Sequence, residues 1–134
     1  MSLSQFAADL VIDVIRTNAT HVALFTANPI AAGDLDDEQA DANGYGRAAI
    51  TWTDSGDEDD ENTADVEFTA DGAAWTGPWY VALMDSGTHG AGNVIAIAVD
   101  ESGDPATTTA TELADGDTLK FAAGGLVASA ALGG

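Results

Sequence analysis

From His21 onward the chain repeats one pattern: a short segment of β-forming residues, then a break containing glycine, aspartate or proline. HVALFT (21–26) places Val22, Leu24 and Thr26 on one face and His21, Ala23 and Phe25 on the other, the period of a strand. Asn28-Pro29 stops it. A long polar segment, 31–46, leads to AAITWT (48–53). After an acidic stretch, DVEFT (65–69) alternates again, with Val66 and Phe68 on one side, and Asp71-Gly72 turns the chain. In WTGPWYVALMDS (75–86), Trp79, Val81 and Leu83 oppose Tyr80, Ala82 and Met84. THGAGN (88–93) is a turn. NVIAIAVD (93–100) is apolar on both faces and predicts a central, well-covered strand. TTTATEL (107–113), TLKFAA (118–123) and LVASAAL (126–132) follow, separated by Asp115-Gly116-Asp117 and Gly124-Gly125. About seven or eight strands at this spacing define an all-β chain, an antiparallel β-sandwich of jelly-roll type or a small barrel.

One helix precedes them. Leu3, Phe6, Ala7, Leu10, Val11 and Val14 recur at three- and four-residue spacing, with Asp9 and Asp13 opposite. Ser2 with Gln5 forms a capping box, and Thr17-Asn18 ends a helix within 1–17. Roughly fourteen residues are marginal as an isolated helix, so this one has to pack on the sandwich or on another copy. The whole chain, 1–134, is expected to be one domain.

Charge limits the surroundings. The 134 residues hold 23 Asp and Glu against 3 Lys and Arg, a formal net charge of -20. Self-repulsion of that size opposes compaction. The Debye length falls from about 10 Å at 0.1 M salt to about 3 Å at 1 M, so concentrated salt is the medium that suits such a body, as in a halophile. Arg16, Arg47 and Lys120 are scattered, which argues against direct nucleic-acid binding and against an anionic membrane. There is no cysteine, hence neither disulfide nor thiolate metal site. The first sixteen residues are too acidic, and their apolar part too short, for a signal peptide.

The acids invite a metal reading. DSGDEDDEN (54–62) reads as a loop before the strand at 63–68, and Asp57, Asp59 and Glu61 alternate as ion ligands would. The glycine and terminal glutamate of an EF-hand are not placed correctly after them. A second cluster, Asp34, Asp36, Asp37, Glu38 and Asp41, lacks the pattern too. The expectation is therefore no cofactor, with weak Ca2+, Mg2+ or Na+/K+ binding at Asp57, Asp59 and Glu61 as the open alternative. His21 and His89 are too few for zinc without a carboxylate. Asp85, Ser86 and His89 sit too close in sequence to reach triad geometry. No glycine-flanked serine elbow or phosphate loop is present, and the chain reads as a non-enzyme.

Two groups read as structural. Gly44-Tyr45-Gly46-Arg47 permits tight turns, with Tyr45 anchoring the loop and Arg47 gripping a carboxylate bidentately, within the subunit or across an interface. Trp75, Trp79 and Tyr80 flank Gly77-Pro78 and offer core on one side and an interface on the other; a carbohydrate- or ligand-binding surface is the competing use.

The order of VALFTANP (22–29), GYGR (44–47), ITWT (50–53), NTADVEF (62–68), VALMDS (81–86) and GDTLKFAAGGL (116–126) resembles a family of small structural proteins of tailed viruses. The resemblance covers most of the chain. It implies a β-sandwich that assembles as a homo-oligomer in the virion beside a major capsid protein or other virion proteins, without catalysis. It covers capsid decorations, vertex turrets, and tail or fibre parts. The aspartate-loaded loops depart from the family and suit a haloarchaeal virus. The lack of a long shaft places capsid decoration or turret ahead of tail or fibre. The contact surfaces expected are the helix face of Leu3, Phe6, Leu10 and Val14, and the region of Trp75, Trp79 and Tyr80.

Overall fold

The computed structural model describes residues 4–54 and 59–129. Helix α1 spans Gln5–Asn18. Ser4, not Ser2, is its N-cap: the Ser4 Oγ accepts a hydrogen bond from the Ala7 N–H at 3.1 Å. Strand β1, His21–Phe25, follows. A one-turn helix α2, Pro29–Ala32, was not legible as such; the Asn28 Oδ1 accepts from the N–H groups of Ile30 and Ala31, and Pro29 opens the turn.

The remaining elements are strands: β2 (Ala48–Ala49), β3 (Trp52–Asp54), β4 (Asp59–Asn62), β5 (Val66–Thr69), β6 (Trp75–Thr76), β7 (Tyr80–Met84), β8 (Val94–Ile97), β9 (Glu112–Leu113), β10 (Thr118–Phe121) and β11 (Val127–Ser129). All the strand pairs are antiparallel. One sheet has the order β2-β1-β7-β8, with His21 opposite Met84 and Phe25 opposite Tyr80. A second has the order β11-β4-β3, and β10-β5 and β6-β9 are two-stranded.

The all-β antiparallel fold with a short N-terminal helix is thus the one the alternation predicts. The four-stranded sheet is one layer of a sandwich-like arrangement. Its Val22, Leu24 and Val81 face packs on Val66 and Phe68 of β5, Trp75 of β6 and Leu113 of β9, with Tyr45, Ile50 and Trp79 filling between. Its other face carries Ala23, Phe25, Tyr80, Ala82 and Met84, with Leu35 packed against it. Coverage on both faces explains why Val22 to Phe25 are buried without alternation.

Two expectations fail here. The acidic run is not a loop throughout: Asp59–Asn62 is the middle strand of the β11-β4-β3 sheet. Glu61 faces Thr53 on one side and Val127 on the other, while Asp60 and Asn62 point inward, each 1% exposed. The strand is tolerated because those inward groups are satisfied. Arg16 Nη1 donates to Asp60 Oδ2 at 3.0 Å, and Asn62 Nδ2 donates to the carbonyls of Ala64 and Ala122. Nor is NVIAIAVD central. Its strand β8 pairs with β7 alone and is only half-buried along its length.

Candidate interaction surface

Helix α1 is held to the body by its small face. Ala8 and Ile12 are buried, at 0% and 2% exposure. Burial of a side chain such as Ile12 contributes about 1.5–3 kcal/mol. Arg16 in the last turn ties Asp13 and the inward Asp60, and the Trp52 indole donates to the Ala19 carbonyl at 2.9 Å. The larger apolar residues point the other way: Phe6 is 73% exposed, Leu10 50% and Val14 60%. Spacings of four align them as a ridge along the helix. The helix therefore carries two apolar stripes: Ala8 and Ile12 meet the body, and the expected contact face of Phe6, Leu10 and Val14 is exposed. Leu3 lies outside the described residues.

Beside the inner side of α1 runs an apolar groove of about 440 Å³, lined by Ile15, Trp52, Leu83, Ala96, Leu126 and Val127 among others. Its long walls are β8 with its continuation to Val99, and the segment 125–128 entering β11. Val99 and Val127 are exposed at its rim.

Trp75 and Trp79 are not at any surface. Trp75 and Trp79 are 1% and 0% exposed, and their indole N–H groups donate inside the chain, to the Asn43 carbonyl at 3.0 Å and to Gln39 Oε1 at 2.9 Å. The sandwich needs large side chains between its layers, and the chain's few aromatics supply them. Neither ring is presented for a subunit contact or for stacking on a sugar; Tyr80 is half-buried on the opposite face of the sheet. Gly77 is placed by the same packing: a Cβ there would lie 2.7 Å from Trp79 Cε3.

Arg47 and Tyr45 converge on Glu38. Arg47 Nε donates to Glu38 Oε2 at 2.9 Å and Nη2 to Oε1 at 2.7 Å, both side chains fully buried. Arg47 Nη1 donates to the carbonyls of Ser86 and Ala91. The Tyr45 hydroxyl donates to Glu38 Oε2 at 2.7 Å and accepts from the Leu24 N–H at 3.2 Å, and the Gly90 N–H donates to Glu38 Oε1. This clasp joins β1, the polar segment 31–46 and the turn after β7 within one chain. Burial alone would raise the Glu38 pKa, but the hydrogen bonds from Arg47, Gly90 and Tyr45, with the guanidinium charge, outweigh it and hold the carboxyl below its ordinary value. Burial, reinforced by the Glu38 carboxylate, pushes the Tyr45 phenol up, so it stays a neutral donor. Gly44 lets the loop pass: its φ is +84°, and a Cβ would lie 2.9 Å from the Thr69 carbonyl oxygen. Among the described residues no buried side-chain polar atom lacks a hydrogen-bond partner.

The remaining candidates do not assemble. Asp85 accepts from Asn93, Ser86 Oγ accepts from the Thr88 N–H, and His89 Nε2 meets the Gln39 carbonyl. These three are engaged apart from one another. His21 contacts the Thr20 hydroxyl. Asp57 lies outside the described residues, Asp59 and Glu61 are on β4, and among the described residues no group of three or more His, Asp or Glu is placed to hold a metal ion. No described helix is long and apolar enough to cross a membrane.

Sequence reasoning missed three things: Glu38 as the acid that Arg47 grips, the inward turn of Asp60, and the groove. Glu38 and Asp60 are hidden among neighbouring acids. The groove's signal was present as two stretches without charge, 93–99 and 121–129.

The body is an antiparallel β-sandwich whose polar interior is a structural clasp and whose helix turns an apolar ridge to solvent. A family model described as podophage GP4 fiber I protein gp80 matches residues 8–129, and the chain belongs to that family. It is thereby a phage fibre-type structural protein and a virion component. No curated protein and no solved structure gives a significant match.

Proposed function

We propose that this chain is a non-enzymatic tail-fibre component that works as a homo-oligomer in contact with other virion proteins. The observation that carries this reading is the α1 ridge of Phe6, Leu10 and Val14, exposed on a helix whose opposite stripe is already packed. A helix apolar on two sides is a helix covered on two sides. The fibre family favours this position over the capsid decoration or turret that the sequence resemblance ranked first. Gold-conjugated antibody against the purified chain, applied to intact virions, should decorate the tail fibres. Label confined to capsid faces or vertices would overturn the fibre position.

The net charge of -20 supports a virus of a salt-loving host. Self-repulsion is relieved as salt screens it, so the melting temperature should climb steeply with KCl into the molar range. A flat dependence would remove the halophilic reading and leave the fibre reading intact. Weak specific ion binding at Asp57, Asp59 and Glu61 would show as stabilisation by millimolar Ca2+ at constant high KCl.

A further inference from the structure

We infer that successive copies join head to tail, the α1 ridge of one copy seating in the groove between β8 and β11 of the next. This rests on the homo-oligomeric fibre reading and specifies its contact.

The occupant follows from charge and from anchoring. Two bodies of -20 each approach most cheaply where neither carries acids. The groove's long walls come from 96–99 and 125–128, which contain no ionisable side chain in a chain that has 23 acids, and the acid beside them is Glu61, cross-strand from Val127. No cation is spare to draw an acidic partner in: Arg16 holds Asp13 and Asp60, Arg47 holds Glu38, and Lys120 holds Asp65. A basic partner would gain nothing from an uncharged groove and would go to the acids elsewhere. What suits the groove is an uncharged apolar ridge, and this chain exposes one in Phe6, Leu10 and Val14. A copy cannot use its own. Its α1 is fixed with Ala8 and Ile12 inward, Arg16 bound to Asp60 and Ile15 lining its own groove, so its ridge faces away. Only another molecule's ridge can enter.

Ridge and groove are different patches, so the contact is heterologous. Such a contact closes into a ring or propagates as a filament, either of which suits a fibre.

The test uses the full chain in concentrated KCl, with mass read by sedimentation velocity. Leu10→Asp spoils the ridge and Val127→Asp the groove; both positions are exposed, and an unchanged circular dichroism melt confirms folding. Each variant alone should be monomeric, raising the concentration needed for assembly by at least about tenfold, equivalent to 1.4 kcal/mol. Mixed together, the two variants should form a one-to-one dimer and stop, because Leu10→Asp keeps its groove and Val127→Asp keeps its ridge. Dissociation by Leu10→Asp alone, with Val127→Asp still assembled, overturns the groove and leaves a ridge-to-ridge contact. Assembly by both single variants, or a monomeric wild type, overturns the inference outright. The gold labelling of virions is unaffected by these outcomes, so failure here is distinguishable from failure of the fibre reading. Because the chain has no cysteine, Leu10→Cys/Val127→Cys treated with a short bis-maleimide gives an independent readout. A ladder of oligomers supports the contact; products identical to those of the two single-cysteine proteins contradict it.

Discussion

The two acidic stretches, 34–41 and 54–62, look alike in composition and are used differently. Among the described residues each turns one acid inward to one of the chain's two arginines. In the first, Glu38 and Arg47 are both fully buried, and Tyr45 and the Gly90 N–H complete the carboxylate's shell. In the second, Asp60 is buried but Arg16 remains 26% exposed and also serves Asp13. The difference teaches that the count of acids says little about stability. What matters is how far from water the inward acid is, and whether its partner can be replaced by solvent.

That contrast can be broken by removing each partner. Arg47→Ala strands Glu38 in the interior, and breaking a buried ion pair costs about 3–5 kcal/mol. The midpoint of denaturant unfolding in concentrated KCl should fall accordingly, and Arg47→Lys should recover little of it because an ammonium cannot bind both oxygens in the same plane. Asp60→Asn should cost less, about 1–3 kcal/mol, since Arg16 keeps Asp13 and water. If Asp60→Asn proved the more damaging, the two sites would have to be ranked the other way.

Acid titration sharpens the same comparison. The Glu38 carboxyl is held below its ordinary value of 4.5. The stability it contributes is complete above that value and is lost as pH falls through the lower folded value. Wild type should lose stability over this range at high salt, and Glu38→Gln should lose less between the same pH limits, although it starts lower. The smallest effect belongs to the surface. Lys120 and Asp65 are 51% and 44% exposed, and Lys120→Gln should change the unfolding free energy by less than about 1 kcal/mol. A larger loss would mean that exposed pairs matter here as buried ones do.

Much of the sandwich was legible. The opposition of Trp79, Val81 and Leu83 to Tyr80, Ala82 and Met84 is the division between the two cores, because period two survives wherever one residue in two must meet the same layer. The β4 strand was not legible. Asp and Glu are poor strand formers, and only pairing with β3 and β11, plus a guanidinium from α1, makes Asp59–Asn62 extended. The helix was legible as a helix but not in its orientation. With apolar residues on two sides, spacing cannot say which side meets the body, and the small Ala8 allowed the closer approach. The indoles of Trp75 and Trp79 read equally well as anchors inside or outside, since composition does not encode depth.

Every fixed positive charge of the chain is committed to a carboxylate of its own: Arg16 and Arg47 to acids in the body, Lys120 to Asp65. Among the described residues, the surface offers an anionic partner carboxylates, backbone and hydration water, and no uncommitted lysine or arginine. Direct contact with an anionic surface then has no free lysine or arginine to use. Mobile cations would have to lie between the two surfaces, so the ionic composition of the medium enters any such contact.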